Sequence, residues 1–429
     1  MELSPFKAKT FQRFGEHFVT EHKTVDLSSM YFLHTGVDTL KQLFNCNLRS
    51  SVLQQIEHHY DVFNTDLINI DGYDFLLSKG SKKGGYQYTL KNLEAGFVVL
   101  LKSFYVEADQ NGSHLKIEVT PQKIYQSDPA ELTEEIRALA YVFATNVKDK
   151  GVAAHLCTDI LGYDLPPDFE HRLQTSARRQ FRVNGMSHAE FNLNEIAVIH
   201  GQTQTYTFGQ SSAIQMCLYN KTDEASKNDK LHFWESVWGK VVKGTDNNQD
   251  FMTPAYSAGD VVHRLEFRFH HSVIEDFERF VQHDSPSSEI KNYEQLHQHL
   301  SGLWKYALNN FRLMDDKGYV DPVWQSLSED IVFFNINAPF LYKRAYKKPS
   351  SDVNHRHVAH TLGNYIKIQS RKNFRPEYVT KKILEMGMES DLCSYFRLLE
   401  FGEMDELPAV LNAFVSDRML QHRLNGVGV

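Results

Sequence analysis

Residues 264–269, Arg264-Leu265-Glu266-Phe267-Arg268-Phe269, alternate without a break: Leu265, Phe267 and Phe269 fall on one face of an extended chain and Glu266 lies opposite. Three other runs read the same way. In His114-Leu115-Lys116-Ile117-Glu118-Val119 the apolar side is Leu115, Ile117 and Val119, with Glu118 outward. In His155-Leu156-Cys157-Thr158-Asp159-Ile160 it is Leu156 and Ile160, with Asp159 outward. In Ala213-Ile214-Gln215-Met216-Cys217-Leu218-Tyr219 it is Ile214, Met216 and Leu218, with Gln215, Cys217 and Tyr219 opposite. Period-two runs of this length are half-buried strands of an antiparallel sheet, packed on one face and polar on the other.

Around these strands the chain alternates strand, helix and paired strands. Asp109-Gln110-Asn111-Gly112 is a hairpin signal joining Gly96–Leu101 to the Glu118 strand. Asp128-Pro129 caps a helix expected over 130–147, and Pro166-Pro167-Asp168 starts a second, basic helix. A helix carrying Trp234 and Trp238 precedes the Glu266 strand. The expected fold is α+β, a largely antiparallel sheet with flanking helices, followed by a mostly helical C-terminal domain. The polar stretch Asp284-Ser285-Pro286-Ser287-Ser288 sets the expected boundary, giving domains 1–284 and 289–429.

Bulk composition excludes several classes. At 429 residues, 41% hydrophobic and 12% aromatic, the chain has material for two folded domains. Cys46, Cys157, Cys217 and Cys393 are far apart and form no CxxC pair, so neither a zinc finger nor a disulfide framework is indicated, which suits a reducing cytoplasm. No apolar run is long enough for a membrane span, the N-terminus has no secretory pattern, and no Walker loop is present. A net charge of −8 argues against indiscriminate coating of nucleic acid and leaves room for local basic patches.

On one sheet, Glu118, Asp159, Glu266 and Tyr219 share a polar face, and Lys221 follows two residues after the tyrosine. Carboxylates of this kind hold a hard divalent cation, a phenol is a nucleophile, and a neighbouring ammonium lowers the phenol's pKa or neutralises a phosphate.

The order of these segments, with Tyr206-Thr207-Phe208-Gly209-Gln210 ahead of Leu218-Tyr219-Asn220-Lys221, resembles the motifs of rolling-circle replication initiators of plasmids and filamentous phages. The resemblance covers residues 95 to 280. It implies an origin-nicking endonuclease in which Tyr219 attacks a DNA phosphodiester and keeps a covalent 5′-phosphotyrosine link until the strand is rejoined. Lys221 is then the companion lysine, and Glu118, Asp159 and Glu266 are the carboxylates for Mg2+ or Mn2+. Origin DNA, as a single-stranded or cruciform nick site, is the implied partner, with helicase and polymerase supplied by the host. The arginine usual two residues before the motif aspartate is Cys157 here, and Asp164 stands as a reserve ligand. These initiators are distant cousins of the HUH endonucleases, whose His-hydrophobic-His ligand pair is matched by neither His297-Gln298-His299 nor His355-Arg356-His357.

Basic residues cluster at His171, Arg172, Arg178, Arg179 and Arg182, at Lys343, Arg344, Lys347 and Lys348, and at Arg371, Lys372 and Arg375. Phe181, Tyr342 and Phe374 interleave them, a mixture that suits phosphate contact alternating with base stacking. Three roles stay open for the C-terminal part: origin binding, homodimer formation and helicase recruitment. Two other functions share the pattern, a mobilisation relaxase nicking a transfer origin and a non-catalytic DNA-binding regulator.

Overall fold

The computed structural model describes residues 8–62, 66–166, 168–175, 180–183, 205–210, 212–243, 253–282, 289–333, 353–398 and 407–424. Its centre is one sheet of eleven strands. In chain order these are β1 (Tyr31–Leu48), β2 (Leu67–Ile70), β3 (Tyr73–Lys79), β4 (Tyr86–Asn92), β5 (Phe97–Ser103), β6 (Gly112–Val119), β7 (Ala144–Leu161), β8 (Gln180–Val183), β9 (Thr205–Gly209), β10 (Ile214–Asn220) and β11 (Val262–Phe269). Side by side they run β8-β9-β10-β11-β7-β1-β6-β5-β4-β3-β2, and neighbours pair antiparallel throughout.

The four alternating runs become β6, β7, β10 and β11, with the faces the sequence predicts. Leu115, Ile117, Val119, Leu156, Ile160, Met216, Leu218, Leu265, Phe267 and Phe269 all enter one core. Helices cover that apolar side, among them α1 (Ser50–Val62), α2 (Pro121–Gln126) and α3 (Pro129–Phe143). Asp128 caps α3 by accepting from the amides of Ala130 and Glu131, and the following proline fits the first turn. The helix stops at Phe143, four residues before its expected end, because Ala144 already begins β7.

On the polar side, α4 (Lys221–Lys227) and α5 (Leu231–Trp238) fold back over one end of the sheet. Trp234, Trp238, Ala225, Tyr256 and Val262 form a small apolar cluster there with Leu33 of β1. On the polar side of β11 Arg264 and Glu266 are buried, while Arg268 stays partly exposed.

The structure departs from the sequence reading at the domain boundary. The chain divides into Met1–Ala345 and Tyr346–Val429 rather than near residue 284. After α6 (His271–Gln282), the helices α7 (Tyr293–His297), α8 (Leu300–Asn310) and α9 (Pro322–Glu329) add Leu296, Leu303, Trp304, Trp324 and Leu327 to the sheet's own core. The indole N–H groups of Trp304 and Trp324 donate to the carbonyls of Leu327 and Phe311, at 2.9 and 2.8 Å. A segment with this much buried aromatic surface belongs to the domain it packs on. The second unit is helical, α10 (Val353–Arg371), α11 (Pro376–Leu384), α12 (Glu389–Leu398) and α13 (Leu407–Leu424), around its own core of Leu362, Ile366, Val379, Ile383, Leu411 and Val415. No helix among the described residues is long and apolar enough to cross a membrane.

Candidate active site

Register lines up the polar face in rows that cross the sheet. One row runs His34 (β1), Asp159 (β7), Arg264 (β11), Tyr219 (β10) and Thr205 (β9); the next runs Gly36, Cys157, Glu266, Cys217 and Thr207; a third runs Thr39, His155, Arg268 and Gln215. Between Thr39 and Val37 the register against β7 slips by one residue, leaving Asp38 as an extra residue in a bulge. A bulge re-aims a side chain, and Asp38 is brought to the same place as His155 and Glu266.

Tyr219 reaches diagonally into the second row, where its hydroxyl donates to Glu266 Oε2 at 3.0 Å. The other carboxylate oxygen of Glu266 lies 3.0 Å from His155 Nδ1 and accepts from Arg268 Nε at 2.7 Å. Glu266 is 1% exposed. Burial works against its charge, but Arg268 and His155 overcome that and hold its carboxyl well below the usual range. Burial, and then the charge of Glu266, push the Tyr219 phenol well above its ordinary value. As it stands the phenol is a proton donor held in place, and it needs positive charge nearby to become a phenolate.

Arg264 pulls the phenol down, whereas Asp38 and Glu224, the acids that face Lys221, push it up. Lys221 opens α4, and its ammonium lies 5.8 Å from the centre of the Tyr219 ring and 5.0 Å from that of Trp234. It is bonded to Glu224 at 2.5 Å and stands 3.9 Å from Asp38 Oδ1. One ligand atom from each of Asp38, His155 and Glu266 lies within 4.8 Å of the others, a spacing that fits a single cation. Two carboxylates and an imidazole are the donor set of a Mn2+ or Mg2+ site completed by water. In the structure Asp38 is also bonded to Arg264, so a cation would share its ligands with guanidinium groups.

Of the three expected metal carboxylates, only Glu266 joins this group. Asp159 is fully buried and used up elsewhere: Arg264 Nε and Nη2 meet its two oxygens at 2.6 and 2.7 Å, and Trp238 Nε1 donates to it at 2.8 Å. Burial opposes its charge and Arg264 more than restores it, so its carboxyl sits below the usual range. Arg264 of β11 is thus the basic group that Asp159 meets, and its guanidinium also lies 4.0 Å from the Trp234 ring centre. Glu118 sits on β6, three strands and roughly 14 Å from β11. It is paired with Lys116 at 2.8 Å and Lys41 at 3.5 Å. Asp164 is exposed beside His263, away from the group.

The expected basic helix does not form. A single turn, Phe169–Arg172, gives way to a short strand, Leu173–Thr175. Arg172 is committed to Asp321 at 2.6 Å and to the Met314 carbonyl at 2.8 Å, so it anchors the start of α9. Arg182 lies in β8 opposite Tyr206. Arg178, Arg179, Lys343 and Arg344 fall outside the described residues.

Asp38 and His155 are the site residues that sequence reading passes over. His155 shares the outward face of Cys157 and Asp159, so its alternation was legible. Asp38 was not, because its bulge breaks the alternation.

No protein-family model matches the chain. It is 33% identical over 353 residues to a Pseudomonas phage Pf1 protein named "Uncharacterized protein ORF430", a match covering 81% of this chain and 79% of that one.

Proposed function

We propose, from the site, that this chain, a member of the family of the Pseudomonas phage Pf1 protein named "Uncharacterized protein ORF430", is a replication initiator, a metal-dependent DNA strand transferase that nicks one strand at an origin. The observation carrying this reading is the Tyr219 hydroxyl on Glu266 with Asp38, His155 and Lys221 gathered around it.

In the proposed reaction the Tyr219 oxygen attacks the scissile phosphorus and the bond to the 3′ oxygen breaks. The phenol gives its proton to water, the departing 3′ oxygen takes one from water, and the 5′ end remains on the tyrosine. Attack of the 3′ hydroxyl on that link reverses the step and rejoins the strand. Glu266 aims the phenol, and Lys221 stabilises the phenolate from the side of its ring. Asp38, Glu266 and His155 would hold Mg2+ or Mn2+, which when bound neutralises charge on the phosphate and orients it for in-line attack. Arg264 bonds Asp38 and Asp159 and so fixes where Asp38 stands. Host helicase and polymerase supply the other activities of rolling-circle replication.

The test is nicking of a supercoiled plasmid that carries the chain's own origin, with Mn2+ present. Wild type is expected to yield open circles and Tyr219→Phe none, with origin binding retained. Nicking by the Phe variant at the wild-type rate would make Tyr219 structural and turn attention to Tyr206. Origin binding by wild type without any nicking would favour the regulator.

A further inference from the structure

The polar face continues from the tyrosine toward β6 as one connected strip. Glu266 leads to His155 and Arg268, and His155 lies within electrostatic reach of Glu118. Glu118 is shared by Lys41 and Lys116. Beyond them Lys150 bonds Ser113 of β6, and the rings of His270 and His271 stand 4.0 Å apart among these lysines. Lys116 also lies over the Tyr86 ring, 5.6 Å from its centre.

We propose that this strip, Arg268 with Lys41, Lys116 and Lys150, is the seat for the backbone of a single-stranded polynucleotide leading into Tyr219. The proposal rests on the nicking reading above for what happens at the strip's end, and on its own geometry for binding. Four cations are set across four adjacent strands, β11, β7, β1 and β6, about 14 Å at the spacing of a sheet. Among the described residues their ion-pair partners are Glu266 and Glu118, so two carboxylates face these four cations in direct pairs, with Glu275 nearby beside His270. The lysine and arginine heads are accessible: side-chain exposure is 28% for Lys41, 19% for Lys116 and 39% for Arg268. Flat rings lie beside the cations: His270 and His271 near the lysines, and Tyr86 under Lys116 at the outer end. Burial first, and neighbouring cations after it, hold both histidines at about 4, so they are neutral near pH 7 and available for stacking or hydrogen bonding. Cations with flat rings beside them suit an unpaired strand, whose phosphates and base faces are both exposed.

The experiment uses the full chain carrying Tyr219→Phe, which removes turnover, and a labelled single-stranded oligonucleotide with the origin sequence. Affinity is measured between 50 and 200 mM salt with Lys41→Gln, Lys116→Gln and Lys150→Gln combined. Losing three phosphate contacts flattens the salt slope by about two units, so the triple variant loses about eighteenfold less affinity over that range than its parent. It also binds more weakly at low salt. Replacing the same three lysines by arginine is expected to preserve both slope and affinity, which separates charge from folding. An exposed control pair, Lys91→Gln with Lys305→Gln, is expected to change neither. A triple glutamine variant with the slope and affinity of its parent would overturn the strip while leaving Tyr219 nicking untouched. A Tyr219→Phe chain that still nicks would overturn the reaction while leaving the strip measurable.

Discussion

Replacing Asp159 by asparagine keeps the shape of the side chain and removes its charge, which leaves the Arg264 guanidinium with one carboxylate in place of two. Arg264 is 0% exposed and so is Asp159. The pair is bidentate, and Asp38, the remaining partner, has a side chain 15% exposed. Breaking a buried pair from one side costs about 3–5 kcal/mol, chiefly because the surviving charge has lost its compensation. Asp38 offsets part of that, so the expected loss is about 3 kcal/mol, a large share of the roughly 5–15 kcal/mol that holds a domain folded. The measurement is urea unfolding followed by tryptophan fluorescence. All four tryptophans, Trp234, Trp238, Trp304 and Trp324, lie in Met1–Ala345, so the signal reports that unit alone even if the helical unit melts separately. Asp159→Leu combined with Arg264→Met removes both charges and is expected to recover part of the stability lost by the single change. Nicking is not expected to return with it, since Asp38 has lost its anchor. A loss below about 1 kcal/mol for Asp159→Asn would refute the reasoning, because it would mean Arg264 is satisfied without Asp159.

Asp38→Asn and His155→Gln are each expected to weaken Mn2+ binding more than about tenfold in calorimetric titration, while Glu118→Gln leaves it within a factor of two or so; equal losses in all three would restore Glu118 to the ligand set. Gly209 has φ +96°, and a Cβ there would stand 2.2 Å from the Ile214 carbonyl oxygen. Gly209→Ala is therefore expected to cost at least about 1–3 kcal/mol and to impair nicking by disturbing the turn into β10, read from the same unfolding curve and the plasmid assay. Burial holds His34, His270, His271 and His299 at about 4 in the folded chain, against 6.5 when unfolded. The unfolded chain then binds more protons between these values, so stability is full above about pH 6.5 and falls as pH drops toward 4. A urea midpoint at pH 5 equal to that at pH 7 would contradict it.

The sheet was legible because its strands at the site alternate strictly: one face of Leu265, Phe267 and Phe269 needs no partner to be recognised. The pairing of Tyr219 with Glu266 was partly legible too, since both lie outward on strands that follow one another. What the period of two cannot supply is register. Asp159 reads as an outward acid exactly as Glu266 does, and only the alignment of β7 with β11 reveals that Arg264 lies opposite it and takes its charge. Asp38 was hidden for a related reason. The 18-residue β1 carries Thr35, Asp38, Thr39, Lys41, Gln42 and Asn45 and is bulged, so its apolar residues Val37 and Leu40 fall three apart and the strand pattern is lost. The basic run at 171–182 failed differently. Pro166-Pro167-Asp168 is a sound helix start, but the arginines after it did not sustain a helix once Leu173–Thr175 found a strand partner in Phe311–Leu313.

The most direct test of the central claim is to trap the covalent intermediate. The chain is incubated with Mn2+ and a single-stranded origin oligonucleotide, digested with protease and nuclease, and its peptides are mapped by mass spectrometry. The account predicts a nucleotide attached through a 5′ phosphate to the phenolic oxygen of Tyr219, absent with excess chelator and absent in Tyr219→Phe. An adduct on another tyrosine, or cleavage of the origin with no adduct at all, would contradict it.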